Sequence, residues 1–403
     1  MLKAINRLYL RTVARVGRVG KKQTSKLLKS LLTITKLPNK RKIKPIKPIK
    51  PIKPVSELKS LRRGRVVGGT AAAHAAPAKP EPGSALAGGT WLSAYYSSSA
   101  YDAKLPSRRM SYFLYLPEKR GTNSGQAEKT TTALPLIVML HGCEQSATQF
   151  AQGSRMNQLA QANGYAVLYP QQALRTHVQR CWKWYDQATQ DGGGDVGMIA
   201  GMIRQILACH PIDQRKVYIC GLSAGAAMAN IMALNHPDLF AAIGLHSSPM
   251  FGAGHSQIGA FGVMQHGAHA RTHTAIAEVL KKLPDYPVMP TILIQGMADK
   301  IVRPVNQTQL LQQSLMINRL NSESTHPVVT QFAGDVGASA PTHAYEIHDF
   351  MLKQTPLLRS IQIADLGHAW SGGDAALAFN SPVGPDASGM LLDFFALHQR
   401  SKA

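Results

Sequence analysis

The fold is decided by residues 216–230, which read KVYICGLSAGAAMAN. The β-branched and aromatic run at 217–220 is typical of a strand, and small residues that favour a helix follow from Ala226. Between them lies a G-x-S-x-G turn with Ser223 at its centre. Such a turn strains the backbone of its serine, and glycines flank it where a Cβ would collide with the neighbouring strand or helix. We therefore expect Ser223 Oγ to stand exposed at the carboxyl edge of a sheet.

Strand, sharp turn and helix in this order form the nucleophile elbow of an α/β-hydrolase. Further strand patterns occur at 109–117, 134–140, 165–169, 239–245, 291–295 and 360–364, and helix patterns at 152–163, 196–209, 306–320 and 387–398. This alternation predicts an α/β fold with a mostly parallel central sheet and helices on both faces. In such a sheet ligands bind at the carboxyl ends of the strands.

The positive charge of the chain lies in its first segment. The 403 residues carry a formal net charge of +23, but residues 1–66 hold 21 Lys or Arg against the single acid Glu57. The remainder is nearly neutral, so a nucleic-acid partner is not expected. We predict two parts: residues 1–90 as a largely disordered arm, and residues 91–403 as the catalytic domain.

Within the arm, apolar and basic residues at positions 2–22 fall on opposite sides of a helical projection, which predicts a cationic amphipathic helix. The Lys-Pro-Ile repeat at 44–55 is typical of a polyproline II spacer, and residues 67–90 of a flexible linker. A basic residue every few positions leaves no apolar segment for a clear Sec signal. No run of 18 apolar residues predicts a membrane span. An anionic membrane or a granule surface is a candidate partner of the arm.

Candidate chemistry follows three of the predicted strands. After 134–140 comes His141-Gly142-Cys143, where the Cys143 N–H and the Ala224 N–H would form an oxyanion hole. We interpret His141 as a buried residue that orders this loop. Asp299 follows 291–295, and His368 follows 360–364. The order Ser223, Asp299, His368 is that of an α/β-hydrolase triad.

Two further features leave alternatives open. Asp365 competes with Asp299 for the role of the acid, but we expect it to lie within the strand and to point elsewhere. The CWKWY segment at 181–185 concentrates aromatic residues in a loop, where they either bind an apolar acyl or polyester chain or merely cap the core.

The chain from about residue 104 to 400 resembles the esterases related to extracellular poly(3-hydroxybutyrate) depolymerases. The resemblance rests on LHGCEQSATQFA, GYAVLYPQQ, CWKWY, GLSAGAAMA, GMADKIV, GHAWSGG and GPDASGMLLDFF, in this order. It implies a carboxylic-ester hydrolase with Ser223 as nucleophile, His368 as base and acid, and Asp299 as the residue that orients it. It also implies Cys143 at the oxyanion hole and Trp182 beside the substrate. Trp370, in the segment that follows His368, is a further candidate substrate-binding residue.

The chain departs from similar proteins in two places. Gln295 stands where they often have His, and we expect it to alter loop packing without touching Asp299. The basic N-terminus replaces an obvious export signal. The resemblance implies an extracellular location, and a cytoplasmic or granule-associated one is the alternative.

The expected mechanism is two-step acyl transfer, which needs no metal or other cofactor. Cys143 and Cys181 could form a disulfide in an oxidising environment, whereas Cys209 and Cys220 are expected to be small buried residues. A feruloyl, acetylxylan or other small ester is an alternative to a hydroxybutyrate-type polyester. In the alternative of another class, the chain is an interaction protein that acts through its basic arm.

Overall fold

The computed structural model describes residues 88–98, 108–118, 133–320, 325–335 and 337–401. The predicted amphipathic helix, the Lys-Pro-Ile spacer and nearly all of the linker lie outside these residues. The division of the chain at residue 90 stays a prediction. Within the described residues, no helix is both long enough and apolar enough to cross a membrane.

The strands alternate with helices along most of the chain. The strands are β1 (Thr90–Ser97), β2 (Arg109–Leu116), β3 (Leu134–Leu140), β4 (Ala166–Pro170), β5 (Ile212–Leu222), β6 (Ala242–His246), β7 (Thr291–Gly296), β8 (Val328–Phe332), β9 (Tyr345–Leu352), β10 (Thr355–Ile363), β11 (Trp370–Ser371) and β12 (Asn380–Ser381). The helices are α1 (Ala147–Ser154), α2 (Met156–Asn163), α3 (Gln187–Gln190), α4 (Asp195–Cys209), α5 (Ala224–Asn235), α6 (Gln257–His266), α7 (Arg271–Lys282), α8 (Val305–Ile317) and α9 (Ala387–Ala396).

The described residues form a 10-stranded sheet in the order β1-β2-β4-β3-β5-β6-β7-β10-β9-β8. Its centre, from β4 to β10, is parallel, and antiparallel strands flank it on both sides. Because parallel strands end at the same edge, the segments after β3, β5, β7 and β10 come together there. The α/β-hydrolase architecture predicted from the sequence is confirmed.

Two apolar clusters cover the two faces of the sheet. On β3, Leu136 and Val138 belong to the cluster that includes α4, α5 and α8, whereas Ile137 and Met139 belong to the cluster of α1, α2 and α9. Successive side chains of a strand point to opposite faces, so a strand buried on both sides reads as one continuous apolar run. This is why LPLIVML could be recognised as a central strand.

The structure corrects several element predictions. The helix predicted at 152–163 is two helices, α1 and α2, because Arg155 adopts a left-handed conformation with φ 56° between them. Gly164, also left-handed, ends α2 as predicted. Helices α6 and α7, the antiparallel strand β9 and the edge strand β8 were not predicted from the sequence. All five residues of β8 are exposed, so the strand lacks the alternation of apolar and polar residues by which a half-buried strand is recognised.

Candidate active site

Ser223 occupies the sharp turn between β5 and α5. Its backbone has φ 58° and ψ −121°, the strained conformation that the sequence predicts. A Cβ on Gly225 would collide with the carbonyl oxygens of Leu140 and His141, and one on Gly221 would lie 2.6 Å from the Leu140 carbonyl oxygen. Side chains at these two positions would therefore push the turn away from β3. Ser223 keeps 8% of its surface exposed at the carboxyl edge.

The loop after β3 lies beside this turn. A Cβ built on Gly142 would stand 3.7 Å from Ser223 Cβ, so Gly142, the residue before Cys143, adjoins the candidate nucleophile. Within the described residues, the backbone N–H groups of Cys143 and Ala224 donate no hydrogen bond. Two unengaged donors beside a serine are what the oxyanion of a tetrahedral intermediate requires.

Buried side chains hold the loop in place. His141 is fully buried; its Nδ1 lies 2.8 Å from the Gly142 carbonyl oxygen, and its Nε2 accepts the Gln172 backbone N–H at 3.2 Å. Burial lowers the pKa of His141 to about 4, so the ring is neutral and Nδ1 carries the proton. The interpretation of His141 as a buried residue that orders the loop is confirmed.

The CWKWY segment is joined to the same loop by a disulfide and a hydrogen bond. Cys181 forms a disulfide with Cys143, and Trp182 Nε1 donates a hydrogen bond to the His141 carbonyl oxygen at 2.9 Å. Trp182 has no exposed surface, so its indole packs under the loop in this structure. Of the other two cysteines, Cys220 is buried as expected, but the expectation for Cys209 is wrong because it is exposed near the end of α4.

Asp299 and His368 meet at the edge, one after β7 and the other after β10. His368 Nδ1 lies 2.7 Å from Asp299 Oδ2, and the Asp299 side chain is completely inaccessible, whereas that of His368 is 10% exposed. Asp299 Oδ1 accepts the N–H groups of Ile301 and Val302 at 2.8 and 2.9 Å. Burial alone would raise the pKa of this carboxyl, but the hydrogen bond and charge of His368, together with the two N–H groups, outweigh it and lower the pKa. The ionised carboxylate therefore keeps the proton on His368 Nδ1 and leaves Nε2 as an acceptor.

Gln295 corrects one expectation. Its side chain does touch Asp299: Nε2 lies 3.3 Å from Asp299 Oδ2 and also donates to the Gly296 and Val302 carbonyl oxygens. The amide therefore adds a donor to the carboxylate and fixes the loop that carries it. The prediction that Gln295 alters packing without reaching Asp299 is wrong, since both side chains turn toward the same buried space.

Asp365 also lies elsewhere than expected. It follows β10 in a turn with φ 56° and is exposed, so it is not within the strand. His368 takes its carboxylate partner from Asp299 and not from Asp365. A left-handed residue in a turn is favoured for Asp and Asn, which explains an aspartate at this position without a catalytic role.

Trp370 is buried behind His368. It has no exposed surface, its Nε1 donates to Ser388 Oγ at 3.1 Å, and its ring stacks on His246 with centroids 5.1 Å apart. Contact of Trp182 or Trp370 with a substrate stays a prediction, and in this structure it requires that the side chain first becomes exposed.

The sequence analysis missed His246, at the end of β6. Its carbonyl oxygen accepts the Ser223 N–H at 2.9 Å, and its Nε2 accepts the Ser371 N–H at 3.4 Å. Burial, and then the charge of His368, lowers the pKa of His246 to about 3, so the ring is neutral. His246 thus joins the serine turn to the segment that carries His368. The signal in the sequence was a histidine directly after an apolar strand next to β5.

Among the described residues, no group of three or more His, Cys, Asp or Glu side chains is arranged to hold a metal ion.

The fold and the serine turn define the class as α/β-hydrolase. Residues 110–327, more than half of the chain, match the family "Esterase PHB depolymerase", and the chain belongs to this family of esterase-type hydrolases.

Two curated relatives and one solved structure illustrate the similarity. Poly(3-hydroxyalkanoate) depolymerase C of Paucimonas lemoignei is 28% identical over 238 residues, 58% of this chain and 54% of the relative. A probable acetylxylan esterase A of Aspergillus flavus is 36% identical over 132 residues, 32% of this chain and 39% of the relative. The chain thus spans about half of the first relative and two fifths of the second. An acetyl xylan esterase structure from Aspergillus awamori shares the fold with a TM-score of 0.56 at 17% identity, over 76% of this chain and 99% of the other.

Proposed function

We propose that this protein is a serine carboxylic-ester hydrolase that works through Ser223, His368 and Asp299. The observation that carries the proposal is the coincidence of three parts at one sheet edge: a strained serine turn, unengaged N–H groups of Cys143 and Ala224, and an imidazole bound to a buried carboxylate at 2.7 Å. Each part alone occurs in proteins without this activity. Together they supply a nucleophile, oxyanion donors and an oriented base.

The proposed reaction has two steps. In the first, His368 Nε2 accepts the proton of Ser223 Oγ as the oxygen attacks the ester carbonyl, and the Cys143 and Ala224 N–H groups bind the developing oxyanion. The imidazolium gives its proton to the departing alkoxide, and the acyl group remains on Ser223. Water, deprotonated by the same imidazole, then attacks the acyl-enzyme; the acid is released as the imidazolium returns its proton to Ser223 Oγ. Asp299 stabilises the imidazolium in both steps and stays ionised because its pKa is lowered.

Hydroxyalkanoate esters are the proposed substrates. Support comes from family membership and from the similarity to the Paucimonas lemoignei depolymerase. Acetyl esters are the second candidate, because the acetylxylan esterases are similar at a higher identity over a shorter part of the chain. Both candidates share the same catalytic steps and differ only in the acyl group and the leaving alcohol.

A hydrolysis panel tests the proposal. We expect the wild-type protein to hydrolyse p-nitrophenyl acetate, longer p-nitrophenyl esters, or hydroxybutyrate oligomers, and the ratio of these rates ranks the two substrate candidates. Ser223→Ala should retain the fold and lose several orders of magnitude in turnover. Ser248→Ala, in the segment after β6, is a matched control because its buried hydroxyl donates only to the Pro249 carbonyl oxygen among the described residues. Retention of more than about a tenth of the activity in Ser223→Ala would remove the serine from the mechanism.

The basic segment has a separate proposed role: to bring the enzyme to an anionic membrane or granule surface. Support comes only from the 21 basic residues against one acid in residues 1–66. A chain that begins at residue 88 should hydrolyse soluble esters like the full chain but lose salt-sensitive co-sedimentation with anionic vesicles. Equal co-sedimentation of both chains would contradict this role. The extracellular location implied by the resemblance remains a proposal as well.

A further inference from the structure

A polar pocket opens at the same edge of the sheet as the candidate active site. It has a volume of about 280 Å³ and lies between the start of β2 and the segment that follows β4. The two strands run antiparallel, with Tyr112 opposite Pro170, so the start of β2 lies at the carboxyl end of β4. Asp195, the first residue of α4, lies in the wall of the pocket.

The pocket lies two to three strands from the strand that leads to Ser223. Strand β4 pairs with β3, and β3 pairs with β5, which ends directly before Ser223. Neighbouring strands are about 4.8 Å apart, so the two spacings from β4 and the three from β2 cover about 10 to 14 Å. Gln172 in the pocket wall also donates its backbone N–H to His141 Nε2, below the candidate oxyanion loop. The pocket and the loop therefore share a hydrogen-bonded framework.

The lining of the pocket is cationic. Arg108, Arg109 and Arg175 face one acid, Asp195, among the lining residues. Both oxygens of Asp195 are engaged, Oδ1 by Arg108 Nη2 at 2.7 Å and Oδ2 by Gln172 Nε2 at 2.6 Å. Arg108 neutralises this carboxylate, so the positive charges of Arg109 and Arg175 remain in excess.

One guanidinium is fixed and another is nearly unengaged. Arg108 Nη1 donates to the Gly194 carbonyl oxygen at 2.7 Å in addition to the ion pair with Asp195, yet 47% of its side chain stays exposed. Arg175 is exposed, and within the described residues its guanidinium makes a single hydrogen bond, from Nη2 to the Arg109 carbonyl oxygen at 3.2 Å. Guanidinium groups with spare donors bind carboxylates through charge-assisted, often bidentate, hydrogen bonds.

We propose that this cationic pocket binds the terminal carboxylate of a short hydroxyacid oligoester whose internal ester bond lies at Ser223. This inference rests on the proposed esterase function and adds a substrate class to it. When such an oligomer is cleaved, the acyl part is transferred to Ser223 and the leaving alcohol carries the free carboxylate. A carboxylate site two to three strand spacings from the serine therefore holds the leaving-group side of the substrate.

The test measures binding in the absence of turnover. The full chain with Ser223→Ala is titrated by calorimetry with a hydroxybutyrate trimer that has a free carboxylate and with the methyl ester of the same trimer. The same titrations are made with Arg175→Gln added and, as a matched control, with Arg204→Gln added, because Arg204 is an exposed arginine of α4 outside the pocket. Arg108 is left intact because its loss would leave Asp195 without its cationic partner.

We expect the free acid to bind about tenfold more tightly than the methyl ester, as one charge-assisted hydrogen-bonded contact predicts. Arg175→Gln should remove most of this preference, and Arg204→Gln should preserve it. Equal affinities for the acid and the methyl ester, equal losses in the two arginine variants, or no binding of the acid would each overturn the proposal. Hydrolysis of p-nitrophenyl acetate by the protein with Ser223 intact reports on the proposed function separately, because that ester carries no carboxylate.

Discussion

His368 Nδ1 lies 2.7 Å from Asp299 Oδ2, although the two residues are 69 positions apart in the chain. Two parallel strands make the contact, since β7 and β10 pair directly and end at the same edge. Because the contact fixes the proton on Nδ1, it determines which nitrogen of His368 is available to a serine.

Asp299→Asn should therefore lower kcat by about three to four orders of magnitude, because an amide favours the wrong imidazole tautomer. Asp365→Asn is the matched control: the residue is exposed, and the carboxylate bonded to His368 is that of Asp299, so activity should change by less than about twofold. Steady-state kinetics on a soluble ester check both variants. The opposite ranking would transfer the role of the acid to Asp365.

The contact between Gln295 and Asp299 predicts a change in pH dependence. Gln295→Glu would place a second buried carboxyl about 3.3 Å from Asp299 Oδ2 and raise the pKa of the pair. We expect kcat/KM at neutral pH to fall by about one to two orders of magnitude, with the acid limb of the pH profile moved upward.

Gln307→Glu is the control for that measurement. Gln307 is another buried glutamine, whose Nε2 donates to the Ile361 carbonyl oxygen at 2.9 Å, and it does not touch Asp299. It should lower stability without moving the pH profile. If the pH profile moves equally in both variants, the shift comes from a general effect of a buried carboxyl on the folded structure and not from its contact with Asp299.

The burial of Trp182 changes what its substitution should do. The CWKWY segment suggests an aromatic wall that favours long acyl chains, but the indole lies under the loop with its N–H on the His141 carbonyl oxygen. Trp182→Phe leaves that oxygen without its donor, at a cost of about 1 to 3 kcal/mol in the free energy of unfolding. Turnover should fall equally for acetyl and longer esters. Trp184→Phe serves as the control. A selective loss of turnover on long esters in Trp182→Phe would instead indicate that Trp182 contacts the substrate.

Two buried neutral histidines predict a loss of stability in mild acid. The pKa values of His141 and His246 in the folded protein are lowered to about 4 and about 3, against an ordinary value of 6.5. Below pH 6.5 the unfolded chain binds protons that the folded one does not, so their contribution is complete above pH 6.5 and is lost as the pH falls. Each histidine should contribute up to about 1.4 kcal/mol per pH unit.

Urea unfolding between pH 6.5 and 5 measures this slope. The slope is proportional to the number of protons that the chain takes up on unfolding. His246→Gln should reduce that number by about one, whereas His269→Gln, at an exposed position, should leave it unchanged. A free energy of unfolding that does not depend on pH in this window would contradict the assignment of both rings as neutral. The window lies above the ordinary pKa of carboxyl groups, which limits their contribution.

The sequence by itself determined the class of fold and the serine turn. Strand β3 could be recognised because a strand covered on both faces is apolar throughout. The elbow could be recognised because its tight turn excludes side chains at Gly221 and Gly225, where a Cβ would meet the backbone of the neighbouring strand. These signals are local, so a linear pattern contains them. The chain order of Ser223, Asp299 and His368 added the candidate site.

Only the tertiary structure decided which side chains face one another. The donation from Gln295 to Asp299, the place of Trp182 under the loop and the role of His246 depend on rotamers and strand register, which composition and spacing do not encode. The same holds for the arginine pocket, where residues from β2, the segment after β4 and α4 meet at one edge. Contacts between segments far apart in sequence arise from the pairing and order of the strands in the sheet, and no local pattern specifies their distances.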